Sequence, residues 1–285
     1  MTCKLFYILI SLFLMVITET SCVNKSSFSC SAPVIGQGPP LPRGRGGHAA
    51  GILNGRVFVV GGSDWSSDHT QKFWLSDSIY FTDNHWENGP VLPHPLAYSM
   101  FAHDSTGIYL AGGMDGANNL RTVYHLANIQ GTWKTLTQLP TAMASGSGAL
   151  LNGKLYVACG WTDEGITNKM WSLDLNQSDA NWQECQILPG PQRAFPALTA
   201  CGNYLYLFGG MGTDSNGSQI IMQDAYKYSP EKNQWTRLKD LPWKGYAWSG
   251  AALDSDHIIL AGKADGQIYK DIYLIDVMEM NTKKI

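Results

Sequence analysis

Short apolar runs alternate with polar and Gly-rich breaks along the chain. The clearest runs are RVFVVGG, GIYLAGG, KLYVACG, YLYLFGG and HIILAGK, which begin at Arg56, Gly107, Lys154, Tyr204 and His257. Their β-branched and aromatic content predicts strands. A tight turn precedes three of them, at Asn54-Gly55, Asn152-Gly153 and Gly202-Asn203. Before those turns lie segments of small residues, such as Gly47 to Leu53 and Ala144 to Leu151. Two strands joined this way form a hairpin. Each run is followed by a polar loop and then by a third alternating segment, as in Ser78 to Phe81 or Ala225 to Tyr228.

The pattern repeats. Leu-Pro recurs at Leu41, Leu92, Leu139, Leu188 and Leu241, in steps of 51, 47, 49 and 53 residues. Four of these pairs follow a Trp: Trp86, Trp133, Trp182 and Trp235. A Gly pair ends the apolar run at Gly61-Gly62, Gly112-Gly113 and Gly209-Gly210, and Cys159-Gly160 and Ala261-Gly262 hold the same place elsewhere. Four antiparallel strands at a period near fifty residues make one propeller blade. The fold class is therefore all-β, a β-propeller. Four units are complete, and a fifth, from Tyr246 to about Val277, lacks its Trp-bearing strand. Ala32 to Pro42 ends like such a strand, so five blades are expected, with the N-terminal strand completing the last. The domains read as 1–22 signal peptide, 32–277 propeller and 278–285 C-terminal tail.

From about Pro39 to Val277 the Gly-Gly, Tyr and Trp pattern resembles kelch repeats. Within that group the strings GHAAGILNGRVFVVGGSDW, GPVLPHPLAYSMF, NWQECQILPGPQRAF and DAYKYSPEKNQWTRLKDLP resemble the bacterial N-acetylneuraminate mutarotase/epimerase family. These relatives are six-bladed, so a truncated six-bladed ring is the alternative. The resemblance implies interconversion of sialic acid anomers with no cofactor. It also implies a catalytic Glu and Arg in a late blade. The stretch GGMGTDSNGSQIIMQDAYKY departs from that pattern: the Glu position falls on Gly210 or Met211 and the Arg position on about Met222. Asp214 is the nearest carboxylate, and Asp224 matches an Asp of the family pattern.

Composition narrows the partners. A net charge of −3 with no basic tract gives no reason to expect nucleic acid. Lys4 followed by the apolar run Phe6 to Ile17 and the small residues Thr20 to Cys22 reads as a secretory signal. The run is too short to span a bilayer comfortably, so no membrane span is expected after its removal. The protein is then exported, periplasmic or extracellular. A variant reading makes Cys22 a lipidated residue. Cys30, Cys159, Cys185 and Cys201 fit no zinc spacing, and the seven His are scattered, so no metal site is expected.

Strand direction brings the residues after Leu-Pro and those after Gly-Gly to one end of the ring. That loop face carries Arg45, Arg193, Asp64, Trp65, Trp161 and Tyr246, a set that suits a sugar: Arg for an acidic sugar's carboxylate, aromatic rings for its C–H face. Glu164 and Asp214 are the candidate catalytic carboxylates of ring opening, with Glu164 the candidate general base. A noncatalytic propeller that grips a glycan or a protein on this face is the alternative function. The four repeat-equivalent Trp residues and Tyr80, Tyr109, Tyr156 and Tyr206 are expected to pack. Arg45 divides evenly between structure and ligand.

Overall fold

The computed structural model describes residues 4–10, 13–19, 38–264 and 267–285, and every regular element within them is a strand. Five antiparallel sheets follow one another as the blades of a propeller. Blade 1 comprises Ala49–Leu53, Arg56–Val60, Ser78–Thr82 and His85–Asn88. Blade 2 comprises Met100–Asp104, Gly107–Ala111, Val123–Leu126 and Lys134–Leu136. In blade 3 an interrupted inner strand, Met143–Ala144 and Ser147–Leu151, pairs with Lys154–Thr162, followed by Gly165–Asp174 and Gln183–Glu184. Blade 4 is Ala197–Cys201, Tyr204–Thr213, Gln219–Ser229 and Gln234–Arg237, and blade 5 is Tyr246–Ala252, His257–Ala264, Gln267–Asp276 and Asn281–Lys284.

Each sequence marker has a physical task. Gly61, Gly112 and Gly209 adopt φ of 64°, 59° and 53°, a region that L side chains rarely enter. A Cβ on Gly112 would lie 2.3 Å from the Met143 carbonyl oxygen of the next blade. The second residue of each pair uses its N–H to join that neighbour: Gly62 to Leu96, Gly113 to Met143, Gly160 to Arg193 and Gly210 to Gly245. Cys159 stands at the Gly position with φ 63° and no exposure, and burial pushes its thiol up to about 12. The register therefore accounts for it without chemistry. The outer-strand Trp side chains tie each blade backwards. Nε1–H of Trp86, Trp133, Trp182 and Trp235 donates to the carbonyl of Pro40, Pro90, Thr137 and Gln186, at 2.9 to 3.0 Å. The Leu of each later Leu-Pro is buried.

Apolar packing fills the spaces between consecutive blades. Phe58, Val60 and Leu110 join blades 1 and 2, and Met100, Val157 and Trp171 join blades 2 and 3. Ala158, Leu207 and Tyr226 join blades 3 and 4, and Phe208, Trp248 and Ile258 join blades 4 and 5.

Two expectations about the ends need correction. The fifth blade is completed by Asn281–Lys284, which pairs with Gln267–Asp276, and not by an N-terminal strand. The stretch 278–285 is thus the blade's outer strand and its turn, not a tail. Of Ala32 to Pro42, residues 38–42 form no strand, and Ala32 to residue 37 lie outside the described residues. Pro40 instead caps Trp86 of blade 1. The physical reason is local: an Asp276 turn, whose carboxylate accepts N–H from Met278 and Glu279, folds the chain straight back. The cleavage region expected near Cys22 also lies outside the described residues.

The wedge between blades 5 and 1 differs from the other four. Val57, Val59 and Ile79 form the outward face of blade 1, and Ile259, Ala261 and Ile272 that of blade 5. These two clusters do not merge. A hairpin of Lys4–Ile10 and Phe13–Glu19 is described as well, and Lys4–Ile10 runs beside the inner strands of both blades.

Candidate functional site

The mouth of the ring is built by one residue per blade. Gly47, Tyr98 and Phe195 precede their inner strands, Ser145 interrupts that of blade 3 and Ala247 sits in a bulge near the start of that of blade 5; all five have positive φ, between 53° and 63°. Backbone N–H groups link them in series: Tyr98 to Gly47, Ser145 to Tyr98, Phe195 to Ser145 and Ala247 to Phe195, at 2.6 to 2.8 Å. Tyr98 and Phe195 meet over the small Ser145, edge to face with centroids 6.2 Å apart. Phe195 also packs on Tyr246 at 6.4 Å, and Tyr98 on Trp74 at 6.3 Å. An aromatic arc thus spans blades 1, 2, 4 and 5.

Blade 1 extends this arc with an extra hairpin, Ser63–Trp65 paired with Lys72–Trp74. Its register sets Ser63 opposite Trp74 and Trp65 opposite Lys72, so these four share one face. The Lys72 ammonium lies 4.7, 5.4 and 5.6 Å from the ring centroids of Trp74, Tyr98 and Trp65. It donates to the Tyr98 hydroxyl at 3.4 Å. Such contacts are worth about 0.5–1 kcal/mol each where water still has access. The opposite face carries Asp64 and Phe73. Arg43 donates its Nε–H to Asp64 at 2.7 Å and sits 5.7 Å from the Phe73 centroid. That hydrogen bond holds the Asp64 carboxyl below its ordinary range.

The two candidate carboxylate-binding arginines are committed elsewhere. Arg193 is fully buried and pairs both arms of its guanidinium with Asp224, at 2.6 and 2.8 Å. It also donates to the carbonyls of Gly209 and Pro191, at 2.9 and 3.1 Å. Arg45 repeats the arrangement, with Asp77 at 2.8 and 3.3 Å and the Gly61 carbonyl at 3.1 Å. Both arginines lock the Gly-Gly bend to the third strand. The guanidinium ends of Arg45 and Arg193, both expected as substrate binders, are thus committed to carboxylates of the fold, and the one donor without a partner, Arg45 Nε–H, is itself buried.

Other candidates are dispersed. Asp214 sits at the exposed tip of the blade 4 hairpin, where its carboxylate accepts N–H from Asn216 and Ser218, both at 2.9 Å. Glu164 is exposed in the turn of blade 3, its N–H donated to the Thr162 hydroxyl at 3.2 Å. Its carboxylate takes no hydrogen bond among the described residues. Asp64 and Trp65 lie on opposite faces of the blade 1 hairpin. Trp65 is 49% exposed and Trp161 is 38% exposed, enough in each case for a ligand to stack. Tyr246 belongs to the aromatic arc. Next to the mouth, burial holds the His48 imidazole down to about 4, and its Nδ1–H donates to the Arg45 carbonyl at 3.0 Å. The neutral ring is therefore a structural donor near pH 7. Lys72 and Trp74 were not singled out in the sequence. Only strand pairing shows that they face the mouth, although the alternation around Phe73 carried a weak signal.

The positions matched to the family's Glu and Arg are cross-strand neighbours here. Gly210 stands opposite Met222, and Met211 opposite Ile221. A pair that is polar in the family pattern is small and apolar in this chain.

Comparison with known proteins agrees with the repeat. The N-acetylneuraminate epimerase family matches residues 136–285, and the KLHDC2/KLHL20/DRC7 kelch-repeats domain matches residues 16–210. An N-acetylneuraminate epimerase of Haemophilus influenzae (strain PittEE) is 30% identical over 140 residues, 49% of this chain and 36% of that protein. A kelch domain-containing protein of Vibrio cholerae is 30% identical over 155 residues, 54% of this chain and 42% of the relative. The matched segment thus spans less than half the length of these relatives. A solved structure titled "Structure of YjhT" superposes with a TM-score of 0.78 at 13% identity, covering 99% of this chain and 97% of that one. The chain belongs to the N-acetylneuraminate epimerase family of kelch-repeat β-propellers.

Proposed function

We propose that the protein acts at the ring mouth on N-acetylneuraminate or a closely related acidic sugar and interconverts its anomers. The observation that carries this reading is the aromatic arc, in a chain of this family, on the face where the longest loops gather. Sugar C–H faces stack on such rings, and the polar loop tips can pair with hydroxyls. Ring opening needs a base for the anomeric hydroxyl and an acid for the ring oxygen. Glu164 is the better candidate base, because its carboxylate is uncommitted whereas that of Asp214 holds its own turn. We place the activity outside the cytoplasm, on the strength of the N-terminal apolar segment.

Proton exchange spectroscopy on the two anomers tests the reading. Exchange should accelerate in proportion to protein concentration and fall at least about tenfold in Glu164→Gln. Exchange no faster than buffer at high protein concentration would reject turnover.

One observation favours a second reading, a propeller that binds a glycan without turnover. The Gly210–Met222 and Met211–Ile221 pairs occupy the family's catalytic positions with groups that cannot move a proton. Saturable sugar binding with unchanged anomer exchange is its signature.

A further inference from the structure

We propose that Lys72, held among Trp65, Trp74 and Tyr98, is the residue that reads the carboxylate of an acidic sugar at the ring mouth. This rests on the sugar reading above and supplies what that reading lacks. An acidic sugar needs a cation, and the two arginines expected to provide it are consumed by Asp77 and Asp224. Lys72 has the opposite standing. It forms no ion pair among the described residues, while rings approach it from three directions at 4.7 to 5.6 Å.

Those rings do two things. They shed part of the water that would otherwise screen the ammonium, which strengthens its attraction for an incoming carboxylate. They also fix its position, with the Tyr98 hydroxyl accepting one of its three N–H groups at 3.4 Å. Two donors remain for a ligand. Trp65, half exposed on the same hairpin face, offers a stacking surface beside them. Carboxylate and C–H face are the two recognisable parts of a sialic-acid-type sugar, and Lys72 with Trp65 matches one to each.

A purely structural role is the competing account, in which Lys72 only staples the hairpin to Tyr98. The two differ in what they do to charge selectivity. Calorimetric titration of the full chain with N-acetylneuraminate and with its methyl ester, which keeps the ring and removes the charge, separates them. Wild-type protein should prefer the free acid by about tenfold, the increment of one charge-assisted contact. Lys72→Gln should bind acid and ester alike, with ester affinity unchanged. Arg43→Gln, on the hairpin's other face, should keep the preference. A preference that survives in Lys72→Gln overturns the assignment, as does a wild-type protein that binds both equally while still binding sugar. Wild-type protein that binds neither compound overturns the sugar reading and this assignment together.

Discussion

Arg193 and Asp224 form a two-pronged ion pair in the interior of blade 4, with Nη1 on Oδ1 at 2.6 Å and Nη2 on Oδ2 at 2.8 Å. Arg45 and Asp77 form the same pair in blade 1, but the Asp77 side chain is 45% exposed where that of Asp224 is 10% exposed. Burial decides what breaking each should do. Asp224→Asn leaves a buried guanidinium without its countercharge and should cost about 3–5 kcal/mol. Asp77→Asn also strands a buried guanidinium, but water reaches it from the Asp77 side, so a smaller cost of about 1–3 kcal/mol is expected. Urea unfolding of the two variants measures the difference. Equal losses would mean that the blade 1 pair is as dry as the other.

The Gly-Gly bends make a second expectation. Gly112 combines φ of 59° with a Met143 carbonyl oxygen 2.3 Å from where a Cβ would sit. Gly112→Ala should therefore cost more than the roughly 1 kcal/mol of a left-handed alanine alone. About 2–3 kcal/mol is expected, since blade 3 has to shift as well. Gly55→Ala has a comparable φ of 74° but nothing within 4 Å of its Cβ, and should show the backbone cost only. Thermal unfolding of both variants separates strain from collision.

These positions also show what was legible beforehand. Leu-Pro, Trp and Gly-Gly recur because each meets a need that every blade has: a buried anchor, a hydrogen bond to the previous blade, and a bend that only a small residue tolerates. Repetition made them visible. The site was harder to see because its parts are set by pairing across distance. Arg193 looks free in sequence, and its partner Asp224 is 31 residues away on another strand. Lys72 looks like an ordinary loop lysine until register places it opposite Trp65 and within reach of the Tyr98 ring. The outer strand of blade 5 is not legible in the sequence, because Asn281–Lys284 lacks the Trp that marks the other four.

The pH dependence of stability follows from His48. Burial holds its folded pKa at about 4, against 6.5 for a free imidazole. A base with a lowered pKa binds protons better when unfolded, so protonation favours unfolding. The contribution of this residue is fully present above pH 6.5 and is lost as pH falls towards 4. Between pH 7.5 and 4.5 wild-type protein should lose about 2 kcal/mol more than His48→Gln. Denaturant titrations at the two pH values give the comparison, and parallel losses would remove His48 from the account.

The last expectation concerns the wedge between blades 5 and 1. Two bonds that join every other neighbouring pair are missing there: none links Gly47 N–H to Ala247, or Gly262 N–H to Arg45, among the described residues. Yet Val57, Val59 and Ile79 on one side, and Ile259, Ala261 and Ile272 on the other, are buried. The strand Lys4–Ile10, which runs beside both inner strands, is the segment placed to cover them. Removal of the N-terminal apolar segment on export would then uncover both faces, and protein begun at residue 23 should show them exposed. It should bind a hydrophobic dye such as ANS several-fold more strongly than the full chain, in keeping with the reach of large apolar patches. Asp in place of Val59 should weaken that binding in the shortened protein, because a charge there breaks the exposed patch. If both forms bind the dye equally, the hairpin does not shield these faces, and blades 1 and 5 must approach each other to bury them.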